Sequence, residues 1–543
     1  MSLPPIFPKL NTINEYKNPA IRLFGNRFFI DQTVLELLAE FLAVVYSEKN
    51  IGKDMDKIFY QPLPPLNELQ RWFRSTDYKL YYKPSVKLNL KLFSLFCTSP
   101  LDKRHQIHEV QLRTLRRVLD GKIVSSNRKN EEVRECLEDL FMGFQGAGSE
   151  RTWCAKTFYP LTPTFITQET LWNETVARKE EELDWYESIN DFPKYFGKTK
   201  HIFLSRGGEL LYLQLCNLFA SEDRGIASFA ENVGIGTQEK DLYYLYNSLN
   251  KGFEGLDDAL FAPLNKLADF IENLDPETHE TTNRKEEGMT CDWCPEESWQ
   301  EAFLYAIELN RVLNTSLDPV ERLELLQMGC VLQVMRSLCA QSVRYADVPL
   351  PKGRGGALGY AWIFSHTDRK QKLISRRNLQ FNLRLIQRAI HNEDLINDTV
   401  TERDIGRAEN KHGHKFFRTI GKRQGIIGPW RGAEPRFSMT DRLIRYLILA
   451  LLPPEESCQY KDFLKRLYRH FGIAIEGEEL ADAVLWSGLP NNCSLNEDRR
   501  NWFTEMLRAG GFLTELSDNC SIVRNPFSKR NNEMAGDDYE IYG

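Results

Sequence analysis

Apolar residues recur at helical spacing along most of the chain, and the breaks between runs mark its elements. Asp31 opens a run in which Leu35, Leu37, Leu38, Phe41, Leu42 and Val45 predict a helix to about Glu48. Pro62, Pro64 and Pro65 then impose a linker or stiff turn. Residues 68–97 mix Trp72, Phe73, Tyr78, Tyr81 and Tyr82 with lysines, which predicts a short helix followed by extended structure. Two more helices are expected at about 102–120 and 129–145. Residues 149–175 set Trp153, Phe158, Tyr159, Pro160, Pro163 and Trp172 among threonines, the composition of an ordered loop packed onto a core. Helical spacing returns at 207–222, through Leu210, Leu211, Leu213, Leu215, Leu218 and Phe219, and again at 238–250.

A long helix starts at Asp318-Pro319. Asp318 suits the N-cap, Pro319 the first helical position and Glu321 the capping-box acid. It runs to about Cys339 and is apolar nearly all round, as a central core helix is. A basic helix is expected at 368–390, and a loop-rich stretch with seven glycine or proline breakers from His412 to Arg436. Beyond it, Ser438 is placed to cap a helix over 439–452, stopped by Pro453-Pro454. Helices at about 459–471, ended by Gly472, at 478–487 and from after Asn496 to Arg508 follow. Phe512–Leu516 and Cys520–Arg524 flank a Ser517-Asp518-Asn519 turn and read as a hairpin.

These patterns predict a mainly α, multi-domain helical protein with a C-terminal winged helix-turn-helix-like module. The expected divisions are an N-terminal helical domain at 1–148 and a helical domain with an aromatic-rich loop at 149–251. An acidic insertion or linker at 252–300 and a central helical domain with a basic surface at 301–436 follow. The winged-helix-like module covers 437–527 and a flexible tail 528–543.

The charge is distributed unevenly. The 543 residues carry 70 basic and 76 acidic side chains, so no global positive field draws the chain to nucleic acid. Residues 252–300 hold 13 acidic and 3 basic side chains, a net of -10, whereas residues 352–436 hold 18 basic and 8 acidic, a net of +10. Within the latter, Lys411, His412, His414, Lys415, Arg418, Lys422, Arg423, Arg431 and Arg436 lie close in sequence. Gly421, Gly425 and Gly428 are placed to expose backbone amides, and Trp430 offers a ring for stacking. Cations, free amides and an aromatic ring are what phosphate and single-strand contacts use. Pairing with the acidic segment or with a partner is the alternative use of these charges. The winged-helix-like module is net -3, from 10 basic and 13 acidic residues. There Arg499, Arg500, Arg508 and Arg524 are the cations available to phosphates, and protein docking is its other reading.

Other chemistry is sparse. Cys291 and Cys294 form the only CxxC, and with no second pair they read as free surface thiols more readily than as zinc ligands. The glycines around Lys352 and Arg354 resemble an anion-binding turn without the Lys-Ser or Lys-Thr of a P-loop. Arg206-Gly207-Gly208-Glu209 opens a helix whose amides suit an anion or the Glu209 carboxylate, and a buried Arg206–Glu209 pair is the structural alternative. His105 and His108 read as surface histidines. No catalytic constellation, metal site or cofactor motif emerges. The 11 cysteines are irregularly spaced, Pro4, Pro5 and Pro8 stand where a signal peptide would be apolar, and no uncharged apolar stretch reaches spanning length. The expectation is a cytoplasmic protein with free thiols and no membrane contact.

Three segments carry a resemblance. Trp153-Cys154-Ala155 with Glu169, Leu171 and Trp172, the Ser205–Leu213 run SRGGELLYL, and the Tyr468–Ile475 run YRHFGIAI are similar to accessory proteins of bacterial anti-phage defence islands, of the kind found in Druantia-like multi-gene systems. The resemblance implies a bacterial protein that acts in a complex on foreign DNA, beside a helicase-like subunit. The expected function is a non-catalytic DNA-binding or scaffold subunit of such a complex. The alternatives are a metal-dependent nuclease with dispersed acidic residues and a purely protein-docking adaptor.

Overall fold

Thr33 caps the first long helix through a reciprocal pair of bonds. Its hydroxyl accepts from the Glu36 amide at 3.2 Å, and the Glu36 carboxylate accepts from the Thr33 amide at 2.7 Å. The computed structural model to which these distances belong describes residues 4–10, 18–25, 28–52, 57–76, 78–83, 86–88, 117, 120–121, 123–142, 146–147, 155–158, 162–168, 171–172, 196–197, 206–220, 224–236, 238–260, 289–347, 353–366, 369–396, 400–432, 434–489, 501–516 and 521–530.

The amino-terminal part comprises β1 (Ile6–Phe7), α1 (Pro19–Phe24), α2 (Val34–Val45), β2 (Glu48–Ile51), α3 (Leu66–Arg74) and β3 (Leu80–Lys83). Then come β4 (Val86–Leu88), α4 (Asn130–Met142), β5 (Gly146–Ala147), β6 (Ala155–Phe158), β7 (Thr162–Gln168), β8 (Leu171–Trp172) and β9 (Phe196–Gly197). Strands β4 to β7 form a four-stranded sheet in the order β4-β7-β6-β5. The expected ordered loop at 149–175 is therefore corrected to strands where it is described. Its threonine and aromatic content suits a pleated surface. Most of the expected helix at 102–120 lies outside the described residues.

Helices α5 (Gly207–Phe219), α6 (Ile226–Val233) and α7 (Leu242–Leu260) lead to β10 (Met289–Thr290), β11 (Cys294–Pro295), α8 (Trp299–Leu313) and α9 (Pro319–Tyr345). The two short strands return to the amino-terminal part, β10 pairing with β3 and β11 with β1. The end of the acidic segment is thus built into the core, with Met289, Cys291, Trp293 and Cys294 buried. Helices α2 and α5 pack backbone to backbone, since a Cβ at Gly208 would lie 2.3 Å from the Phe41 amide nitrogen and 2.7 Å from the Leu37 carbonyl oxygen.

Asp318 caps α9 by accepting from the Val320 amide at 2.8 Å, with Pro319 at the first helical position. By length and composition α9 could cross a membrane, but 89% of its most apolar window is buried inside the protein. Its polar residues meet a buried network. The Glu308 carboxylate of α8 accepts from Arg336 of α9, and Arg336 donates to Gln333 at 2.8 Å. Gln333 donates in turn to Gln214 of α5 at 2.9 Å.

The remaining elements are β12 (Trp362–Ile363), α10 (Arg369–Ile390), α11 (Glu402–Lys411), α12 (His414–Arg423), β13 (Ile427–Gly428), β14 (Arg436–Phe437) and α13 (Asp441–Leu451). They continue with β15 (Ser457–Gln459), α14 (Tyr460–Phe471), β16 (Ile473–Ala474), α15 (Gly477–Trp486), α16 (Trp502–Ala509), β17 (Leu513–Glu515) and β18 (Ser521–Arg524). The expected hairpin is present, and β15 joins it in the order β15-β18-β17, all antiparallel. Thr440, not Ser438, caps α13, accepting from the Leu443 amide at 3.2 Å. Parallel pairing of β12 with β16 and a continuous buried apolar cluster join this part to the helices before it. The protein is mainly helical with several small sheets.

Candidate nucleic-acid interface

Three helices that pack on one another, α10, α11 and α12, carry much of the +10 segment. In α10, Ile374, Leu379, Leu385, Ile386 and Ile390 are buried, which fixes one side of the helix to the core. The other side exposes Lys370, Arg377, Arg384 and Arg388, at spacings of seven, seven and four residues. Those spacings place four cations in one stripe, roughly 27 Å long at the rise of an α-helix. In the sequence these four belong to the cations of the expected basic helix at 368–390, outside the residues predicted to contact nucleic acid. Their spacing was the signal that sets them on one face.

The expected loop at His412–Arg436 is largely a helix, α12, and a short strand pair, β13 with β14. Phe416, Phe417 and Ile420 supply a buried face at helical spacing that overrides the glycines. Gly421 exposes no amide. It lies in the helix, and a Cβ there would come within 2.7 Å of Ile427 and 3.2 Å of Met335. Its role is close packing.

Glu409 of α11 ties the helices together. Its Oε1 accepts from Gln387 Nε2 at 2.8 Å and bonds His391 Nε2 at 2.8 Å, both from the carboxyl end of α10. Burial raises the Glu409 carboxyl, but the His391 and Gln387 bonds and the nearby imidazoles of His391 and His414 bring it below the ordinary value. Burial lowers the His414 imidazole; Glu409 opposes this, and the charges of Lys415 and Arg418 add to it. Lys415 and Arg418 thus stand within electrostatic reach of the Glu409 cluster. Nearer the other end of α10, Arg376 pairs with Glu434 at 2.6 Å and ties down the loop that bears Trp430 and Arg431.

The residues predicted to contact nucleic acid divide into two groups. Lys415, Arg418, Trp430 and Arg431 are exposed, Trp430 by 59%. Among the described residues none of Lys370, Arg377, Arg388, Lys415, Arg418 or Arg431 forms an ion pair. The others are engaged within the fold. His412 is buried and donates from Nδ1 to the Phe28 carbonyl at 2.7 Å. Arg423 donates to the carbonyls of Ile30 and Gln32 at 3.0 and 2.9 Å. Lys411 lies 5.6 Å from the centre of the Phe29 ring, and Lys422 donates to the Trp430 carbonyl at 3.2 Å. Arg436 is half-buried in β14. Arg499 and Arg500 lie outside the described residues, Arg508 pairs with Glu515, and Arg524 is exposed.

Both anion-binding turns read from the sequence are filled by the protein's own side-chain carboxyl groups. Asp482 accepts from the amides of Arg354 at 3.0 Å and Gly355 at 3.0 Å. Glu40 accepts from the amides of Arg206 at 2.6 Å and Gly208 at 2.5 Å, at the amino end of α5. Burial pushes the Glu40 carboxyl up to about 8, against the Gly208 and Gln32 bonds. Arg206 lies 3.9 Å from the buried Glu209 carboxylate, and it pairs more closely, at 2.5 Å, with Asp292.

Cys291 and Cys294 are buried, not surface thiols, and burial raises both, Cys294 to about 12. Among the described residues no three His, Cys, Asp or Glu side chains gather as a metal site. His105 and His108, with Trp153, Cys154 and Glu169 of the resemblance, lie outside the described residues. Comparison of the chain with protein-family models, curated proteins and solved structures gave no match.

Proposed function

We propose that the chain is a non-catalytic DNA-binding or scaffold subunit, and that the face formed by α10, α11, α12 and the Trp430 loop holds the nucleic acid. One observation carries this reading. Exposed cations without ion-pair partners line the face, while the nearby cations of the same segment are engaged inside the fold. Unpaired cations at fixed spacing suit a phosphate backbone, and an exposed indole suits an unstacked base.

The finer reading of the C-terminal part belongs to the same proposal. Helix α13, strand β15, helices α14 and α16 and the β17–β18 hairpin come in the order of a winged helix, with β16 and α15 between α14 and α16, and the strand order β15-β18-β17 supports that assignment. Its last helix is poor in free cations, since Arg508 is paired with Glu515 and Glu505 is exposed. That favours protein docking for the wing. The resemblance to defence-island proteins suggests the setting, a cytoplasmic complex of defence-system proteins with a helicase-like subunit.

Fluorescence anisotropy with labelled single- and double-stranded DNA tests the proposal. The Lys415→Ala/Arg418→Ala/Arg431→Ala variant should keep its circular dichroism and lose affinity on every sequence alike. Unchanged affinity would remove this face from the binding site. Absence of wild-type binding at low salt would favour the protein-docking adaptor.

A further inference from the structure

Away from the basic helices, the turn after α6 and the connection between α13 and α14 enclose a cavity of about 140 Å³. Gly236, Glu239, Arg311, Glu456, Arg466 and His470 are among its lining residues. A space of roughly 150 Å³ accommodates a six-membered ring, so this one fits a small metabolite or a few waters.

His470 and Arg311 are the buried polar residues of the lining, 2% and 6% exposed. The His470 Nε2–H donates to Glu308 at 2.7 Å, which is the one hydrogen bond of the ring among the described residues. Burial lowers this imidazole, although the Glu308 bond and charge oppose the shift. The neutral ring therefore presents Nδ1 as an acceptor. Around it stand two cations and two anions. Arg311 grips Glu239 with two N–H groups and donates a third to the Ala450 carbonyl at 2.6 Å. Arg466 makes a single bond, to Glu456 at 2.7 Å, and both are about a third exposed, at 36% and 35%. The remaining donors of Arg466 are available at the rim.

A small cavity with charges of both signs and an unfilled acceptor on its wall suits a molecule that carries both signs itself. We propose that this cavity binds a zwitterion of the α-amino-acid class. The carboxylate meets Arg466, and the ammonium donates to His470 Nδ1 and faces Glu239.

The test uses the full chain and the twenty common amino acids at neutral pH, by thermal shift followed by calorimetry. Gly236→Trp is the blocking variant. A Cβ at Gly236 meets nothing within 4 Å, so a side chain can start there without a backbone clash, beside the cavity that Gly236 lines. At least one amino acid should raise the melting temperature, and the rise should grow with the logarithm of its concentration above Kd. Gly236→Trp, with an unchanged melting temperature in buffer, should weaken that binding by about tenfold or more, and Arg466→Gln should do the same. The matching amine and the matching carboxylate, each alone, should fail to bind. No shift with any amino acid at millimolar concentration overturns the proposal. Binding that survives Gly236→Trp overturns the location, and equal binding of the lone carboxylate overturns the zwitterion class.

Discussion

The ring of His470 donates to the carboxylate of Glu308 at 2.7 Å across a separation of 162 residues. The same carboxylate accepts from Arg336 and, at 2.6 Å, from the Tyr446 hydroxyl. One buried side chain thereby joins α8, α9, α13 and α14. Burial alone would raise the Glu308 carboxyl, but Arg336, His470 and Tyr446 together hold it below the ordinary value, so it is the charged partner that Arg336 needs. Glu308→Ala leaves the Arg336 guanidinium buried without its counter-charge. The expected loss of stability is about 3–5 kcal/mol. Urea denaturation measures it, and a loss below about 1 kcal/mol would show that the network relaxes around the gap.

Glu40 gives the stability a pH dependence. Its carboxyl is raised to about 8 in the folded chain by burial, against about 4.3 in an unfolded one. Between those values the folded state keeps a proton that the unfolded state releases. Its contribution is therefore full at low pH and is lost as the pH rises towards 8, with a slope of at most about 1.4 kcal/mol per pH unit. Glu40→Gln has no such proton. The stability of the wild type relative to this variant should fall between about pH 5 and pH 8. Parallel denaturation midpoints across that range would contradict the assignment.

Two glycines should respond oppositely to alanine. Gly208 faces backbone, with a Cβ 2.3 Å from the Phe41 amide nitrogen, so Gly208→Ala must drive α2 and α5 apart. A loss of about 3 kcal/mol or more is expected, at the upper end of overpacking costs. Gly406 lies within α11 and a Cβ there meets nothing within 4 Å. Gly406→Ala should stabilise by about 0.5–1 kcal/mol through helix propensity. Thermal melts of the two variants check both signs.

Elements with an uninterrupted apolar face were legible in the sequence. The Asp318-Pro319 start of α9, the Gly472 end of α14 and the β17–β18 hairpin all follow local rules of capping and turn chemistry. Helix α12 was not legible, because four glycines and a cluster of cations in 413–431 outweigh the three buried positions Phe416, Phe417 and Ile420. Those positions acquire their meaning from distant neighbours such as Met335 and Ile427. The site divides in the same way. The sequence located the basic segment, but the engagement of Arg423 by Ile30 and Gln32, and of His412 by Phe28, depends on contacts nearly 400 residues apart. Likewise the amides of Arg354 and Gly208 looked free until Asp482 and Glu40 were brought to them by the fold.

The central claim is that the exposed stripe of α10 meets phosphates. The most direct measurement is the salt dependence of DNA affinity for the wild type and for the Lys370→Ala/Arg377→Ala/Arg384→Ala/Arg388→Ala variant. Each phosphate contact contributes roughly one unit to the slope of log affinity against log salt, so the variant's slope should be shallower by about three to four. An unchanged slope in a folded variant, or no salt-dependent binding by the wild type, would contradict the account.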